Sequence, residues 1–130
     1  YKRQVTAPQA GGKFSAEPGY WTARMMQAAA SQGVELDVRW YGKPYGPAFN
    51  LGLARMQIRL DNLSNRPLDH PFDAGRIAMV GDSLHTDILG GAAAGMTTVL
   101  ITDHGLFRGQ DALPFCISCG LFPDWIVRTL

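Results

Sequence analysis

Lys43 stands in Gly42-Lys43-Pro44, Asp82 closes the run Met79-Val80-Gly81-Asp82, and Asp87 follows in the next turn. Each of these side chains suits work on a phosphate. A lysine between a glycine and a proline, in a tightly turned loop, keeps its ammonium within a small volume, where it can neutralise phosphate oxygens and a nucleophilic carboxylate. An aspartate that leaves a strand through a glycine is fixed and exposed at the strand end. Magnesium is held in enzymes by one or two carboxylates together with waters and phosphate oxygens, so Asp82 is a chemically suitable ligand. Asp87 falls in the first turn of the next predicted helix, where the dipole favours a negative side chain and where it could face Asp82. Helix-start electrostatics would by itself account for Asp87, and a loop lysine is ordinarily solvated surface. The pairing of Lys43 with Asp82 carries the reading.

The elements that must position these residues alternate along the chain. Arg76-Ile77-Ala78-Met79-Val80 is a nearly continuous apolar run, expected of a strand buried on both faces of a parallel sheet. A helix is predicted over about His85 to Ala94, stopped by Gly95, then a β-branched strand over Thr97 to Ile101 and, after a long loop, a short edge strand over Asp124 to Val127. Upstream, residues 1–14 read as a polar loop, and Ser15 is expected to cap a helix reaching Gln32. Trp21, Met25, Ala28 and Ala29 share one face of that helix, and Gly33 is its stop. Val38 to Tyr41 reads as a short strand. Pro47 suits the first turn of a second helix with Phe49, Leu53, Met56 and Leu60 on its apolar face, and Asp61 to Gly75 reads as a surface connection. This order predicts an α/β fold, a doubly wound, Rossmann-like parallel sheet with helices packed against it. Ligands of such sheets sit outside the carboxyl ends of strands. Lys43 lies just past the first predicted strand and Asp82 just past the second, so both belong to one rim.

Gly42-Lys43-Pro44 with Pro47 and a helix, then Val80-Gly81-Asp82-Ser83-Leu84-His85-Thr86-Asp87-Ile88-Leu89-Gly90-Gly91 and Ala94-Gly95-Met96, resembles the third and fourth motifs of haloacid dehalogenase (HAD) superfamily phosphatases. The likeness is closest to the subgroup typified by NagD and the 4-nitrophenylphosphatases, and it spans about residues 10–128. The resemblance implies that Lys43, with Gly42 and Ser83 beside it, holds phosphate and nucleophile, that Asp82 ligates Mg2+, and that Asp87 completes the metal and lysine network. It also implies an incomplete HAD core: residues 1–34 as the end of a cap domain or a cap-to-core connection, and 35–130 as the C-terminal part of the core. The family attacks phosphorus with an aspartate of an Asp-x-Asp motif, whose second aspartate is the general acid and base, giving an aspartyl-phosphate. No Asp-x-Asp precedes Lys43, and the second motif, a Ser or Thr after another strand, is missing too. The chain is therefore expected to carry the lysine and metal half of a phosphatase that acts on a small phosphorylated metabolite, without turnover of its own. The rival expectation is a non-catalytic, phosphatase-like module that binds a phosphorylated ligand or a protein. An Asp-x-Asp strand upstream of Tyr1 would decide for the enzyme.

Composition narrows the rest. The chain has 130 residues, 46% hydrophobic and 18% charged, with a net charge of +1, which suits one globular unit and gives no broad footprint for nucleic acid. No apolar stretch approaches membrane-spanning length and no leader is evident, so the default expectation is cytoplasmic, with a homodimer the assembly the family resemblance implies. Cys116 and Cys119 form a lone C-I-S-C pair without a second pair or a nearby histidine, and read as ordinary thiols. Gly12-Lys13 is not a phosphate loop, because Ala7 and Phe14 stand where a glycine and a Ser or Thr are required. Gly90 to Gly95 lies inside a predicted helix and reads as close helix-to-sheet packing, not a dinucleotide site. A phosphotransfer receiver domain would place its lysine after its acidic residues, whereas Lys43 precedes Asp82. His104 and Arg108 follow a strand end and could touch a substrate, although a flexible polar loop accounts for them better.

Overall fold

In the structure, a computed structural model, the described residues are 6–8, 14–16, 18–64 and 73–130. In chain order the strands are β1 (Thr6–Pro8), β2 (Phe14–Ala16), β3 (Ala78–Gly81), β4 (Thr97–Ile101) and β5 (Trp125–Val127). The α-helices are α1 (Pro18–Ala30), α2 (Gly46–Ser64), α3 (Leu89–Ala93) and α4 (Leu113–Cys119). The chain divides into two compact units, residues 1–39 and 40–130.

In the first unit, β1 and β2 pair antiparallel, with Ala7 opposite Ser15. The segment expected to be a loop thus supplies strands, and Ser15 lies in β2 instead of capping a helix. The helix starts at Pro18, whose fixed φ and missing N–H suit a first turn. Gly33, at φ 75°, ends it as expected, with the Val34 N–H donating to the Ala29 carbonyl. The predicted packing stripe is not covered: no residue of α1 is buried, and Trp21 and Met25 are 61% and 65% exposed.

In the second unit, β3, β4 and β5 form a parallel sheet in that order, with Val80 opposite Val99 and Leu100 opposite Ile126. This is the Rossmann-like α/β arrangement the sequence implies, present as a partial core. The central strand β4 spans the residues predicted for it and buries Thr98 and Leu100. β3 starts later than expected, because Ala74–Arg76 is a 3-10 turn capped by Asp73, whose Oδ1 accepts from the Gly75 N–H at 3.0 Å. β3 is also half-buried where full burial was expected, since among the described residues it has a neighbour, β4, on one edge alone. Val38 to Tyr41 carries no regular structure. A strand needs a backbone ladder, and no described strand pairs with this segment.

Parallel neighbours require a crossover. Between β3 and β4 it is a π-helical turn over Leu84–Ile88 continuing into α3, in place of a plain α-helix from His85. Between β4 and β5, the expected long loop contains a 3-10 turn, Gly105–Phe107, and α4. Their apolar side chains meet: Leu84, Ile88, Leu100, Phe107, Ala112 and Cys116 form the core. Glycines set the spacing of α3. A Cβ on Gly91 would come within 2.7 Å of the Met79 Cβ, so α3 lies close on the sheet only because that position is bare.

Asp124 fastens β5 to β4. Its Oδ2 accepts from the Thr98 N–H at 2.7 Å and from the Thr98 hydroxyl at 2.8 Å, and its own N–H donates to that hydroxyl at 3.0 Å. The Thr98 backbone N–H, then its hydroxyl, hold the Asp124 carboxyl below its ordinary value. A carboxyl depressed in the folded state contributes stability that is complete above its unfolded value, about pH 4, and lost as pH falls through the folded one. Urea midpoints measured from about pH 6 down to about pH 3 should therefore fall less steeply in Asp124→Asn than in the parent. Parallel curves would contradict this linkage.

Candidate active site

The loop bearing Lys43 is seated by α2 and α3. Phe49, buried near the start of α2, lies where a Gly90 Cβ would overlap its ring, and the Pro44 Cα lies 3.1 Å from that same virtual atom. The bare backbone of α3 thereby admits both the aromatic ring and the Lys43-Pro44 segment. That peptide bond is cis. Trp40 and Tyr45 stack across the loop with ring centroids 5.6 Å apart. From this loop, Lys43 Nζ reaches Asp87 Oδ1 at 2.5 Å.

Asp87 is held on both oxygens. Its Oδ2 accepts from the Ser83 N–H at 3.2 Å, and its carboxylate lies over Gly81, where any Cβ would overlap it. The π-turn shapes this arrangement: the Ile88 N–H donates to the Ser83 carbonyl at 3.1 Å, widening the backbone around Asp87. The Asp87 side chain is 5% exposed and that of Lys43 51%, so a buried carboxylate anchors a half-exposed lysine side chain.

Asp82, between Gly81 and Ser83, turns the other way along the rim. Its Oδ2 accepts from the Leu106 N–H at 3.2 Å and lies against Gly105, at φ 67°, where a Cβ would overlap the carboxylate. The loop after β4 thus holds the carboxylate that leaves β3. The structure brings Lys43, Asp87, Gly81 and Ser83 into one contact network, with Asp82 between Gly81 and Ser83 at the same strand end. Gly42 is exposed in the Lys43 loop. His104 and Arg108 are exposed; the residues of their loop that touch the site are Gly105 and Leu106, which the sequence reading passed over.

Gly105 and Gly109 separate two effects. Both have left-handed backbone, at φ 67° and 73°, but a Cβ on Gly109 meets nothing within 4 Å. Gly105→Ala and Gly109→Ala should share a backbone cost of about 1 kcal/mol. Only the first should displace Asp82, weakening any cation held there by about 10–100-fold, the usual effect of losing a residue that orients a metal ligand. Equal magnesium affinities in the two variants would contradict the positioning role of Gly105.

The donor set fits magnesium in part. Among the described residues no three His, Cys, Asp or Glu side chains converge as a metal cage. Magnesium does not need one, because one or two carboxylates with waters and a substrate phosphate suffice. Asp82, with one oxygen on the Leu106 N–H, has its other oxygen to offer, and Asp87 is committed to Lys43 and Ser83. Beside this rim, a cleft of about 330 Å³ opens between Ser83-Leu84-His85, the Leu106–Gln110 loop and α4.

The parallel Rossmann-like sheet thus carries an anchored lysine and a second aspartate at the end of β3. A family model described as HAD-hydrolase-like matches residues 40–117, and the chain belongs to that family. Solved structures agree. It is similar to a protein described as a possible sugar phosphatase of the HAD superfamily from Cytophaga hutchinsonii, at 25% identity and TM-score 0.62, over 98% of this chain and 39% of that one. It is similar also to the p-nitrophenyl phosphatase of Archaeoglobus fulgidus, at 28% identity and TM-score 0.58, over 95% of this chain and 40% of that one. The 4-nitrophenylphosphatase of Thermotoga maritima, at 23% identity and TM-score 0.57 over 96% and 39% of the two chains, shares the fold. No curated protein sequence matches. The chain thus spans about two fifths of the length of these structures. No helix among the described residues is long and apolar enough to cross a membrane.

Proposed function

We propose that this chain supplies the lysine and metal-carboxylate half of a magnesium-dependent phosphomonoesterase acting on a small phosphorylated metabolite. The observation that carries the reading is the buried Asp87 bridging Lys43 Nζ and the Ser83 N–H, one residue from Asp82. Lys43 binds phosphate oxygens with the face of its ammonium turned away from Asp87, and Asp87 keeps it aimed. Asp82, oriented by Leu106, is the ligand for Mg2+, which when bound supplies positive charge to the transferring phosphoryl group. Ser83 holds Asp87 through its N–H, and Gly42 gives the lysine loop its turn. The attacking aspartate and the general acid belong, on this reading, to an Asp-x-Asp strand encoded elsewhere in the open reading frame. Residues 1–34 then form the end of the cap or its connection to the core.

The experiment is turnover of p-nitrophenyl phosphate, with and without magnesium, by the product of the whole open reading frame, alongside Asp82→Ala. Magnesium-dependent turnover in the parent and its loss in the variant are expected. An unchanged rate in the variant removes the metal role, and phosphate binding without turnover by the parent would favour the non-catalytic module.

A further inference from the structure

Cys116 and Cys119, the only cysteines of the sequence, take no part in the phosphate site, and both are free thiols. They occupy the last turn of α4, just before Gly120, which ends the helix in left-handed conformation at φ 67°. Residues three apart on an α-helix have Cα atoms about 5 Å from one another, by its rise and radius. A disulfide closes over Cα separations of roughly 4.4–6.8 Å, but its Cβ atoms sit about 3.5–4.5 Å apart against about 5–6 Å for helical neighbours, so closure must unwind the last turn of α4. Within this turn the Cys119 thiol lies 3.7 Å from the Cys116 backbone carbonyl.

Their surroundings differ in a way that divides the labour. Cys119 is half-buried and lines the 330 Å³ cleft with His85, Gln110 and Phe115, so a small reagent can reach it. Cys116 is fully buried in the core with Leu84, Ile88, Leu100 and Phe107. Burial, and then the neighbouring Cys119, push the Cys116 thiol up, so the more accessible Cys119 is the sulfur that meets the oxidant first. Leu84 and Ile88 of that same cluster flank Asp87 in the π-turn.

We propose that Cys116 and Cys119 are a reversible dithiol modification site, closed to a disulfide by a peroxide, and that closure loosens the turn carrying Asp87. The Cys119 sulfur attacks one peroxide oxygen, the O–O bond breaks, and the other oxygen takes up the thiol proton and leaves as water. The Cys116 sulfur then attacks the resulting sulfenic sulfur, and the hydroxyl leaves with the Cys116 proton as a second water. Two thiols are oxidised, one peroxide is reduced, and one disulfide and two waters result. Drawing the Cys116 sulfur toward Cys119 withdraws it from the core cluster it shares with Leu84 and Ile88.

Peptide mapping of the native protein tests this without a variant. No lysine or arginine lies between Gly109 and Arg128, so one tryptic peptide holds both thiols. After hydrogen peroxide and then an alkylating reagent, this peptide should be lighter by two hydrogens and resist alkylation until a dithiol reductant is added. Cys119→Ser should leave Cys116 reduced under the same treatment. Amide hydrogen exchange over Leu84 to Leu89 should quicken about tenfold in the oxidised protein. A peptide alkylated on both sulfurs, or one carrying only an over-oxidised Cys119, would overturn the site. A disulfide with unchanged exchange over that segment would overturn its coupling to Asp87.

Discussion

Replacing Lys43 by methionine in the product of the whole open reading frame is expected to lower phosphatase kcat/KM by about 10²–10³-fold, the range for losing one preorganised charge donor at a reacting centre. The loss should be electrostatic and not a collapse. Lys43 is half exposed, so its removal lets water approach Asp87, and the stability cost should stay near 1–2 kcal/mol, below that of breaking a fully buried pair. The double variant Lys43→Met with Asp87→Asn removes the orphaned charge as well. It should recover much of that stability and none of the activity. Lys43→Arg should rescue poorly, since a planar fork cannot take the place of a compact ammonium between Gly42 and Pro44. Activity in Lys43→Met within a few-fold of the parent would contradict the role given to the pair.

Asp82→Asn has the second large effect. The amide keeps the size of the side chain and can still accept from the Leu106 N–H, so the loop after β4 should hold its place. A neutral oxygen binds magnesium weakly, and several kcal/mol of charge stabilisation depend on the cation, so turnover at fixed magnesium should fall by about three orders of magnitude. Raising the magnesium concentration should recover part of it. A loss of the same size that no concentration of magnesium changes would assign Asp82 to another task.

The residues of this site were legible because each stands at a punctuation mark. Gly42-Lys43-Pro44 and Gly81-Asp82 announce their own turns, and the β-branched Thr97 to Ile101 could hardly be other than the strand it is. What holds the residues in place was not legible. Leu106 reaches Asp82 from 24 positions downstream, through a backbone N–H that any residue carries. Gly90 looked like a packing glycine, and it is, but its partners proved to be Phe49 and Pro44, which join the two motifs. α4 is too short for a periodic signal, and β1 and β2 are three-residue strands whose pairing no local pattern announces. Val38 to Tyr41 fails for the opposite reason, since a strand-like sequence makes no strand without a ladder beside it.

The central claim is that an amine and a carboxylate far apart in sequence serve one phosphoryl group. A crystal structure of the whole open reading frame's product with magnesium and orthovanadate tests it most directly. Vanadate oxygens in contact with Lys43 Nζ, and magnesium held at the Asp82 carboxylate, are expected. Vanadate bound away from Lys43, or a metal that leaves Asp82 untouched, would contradict it.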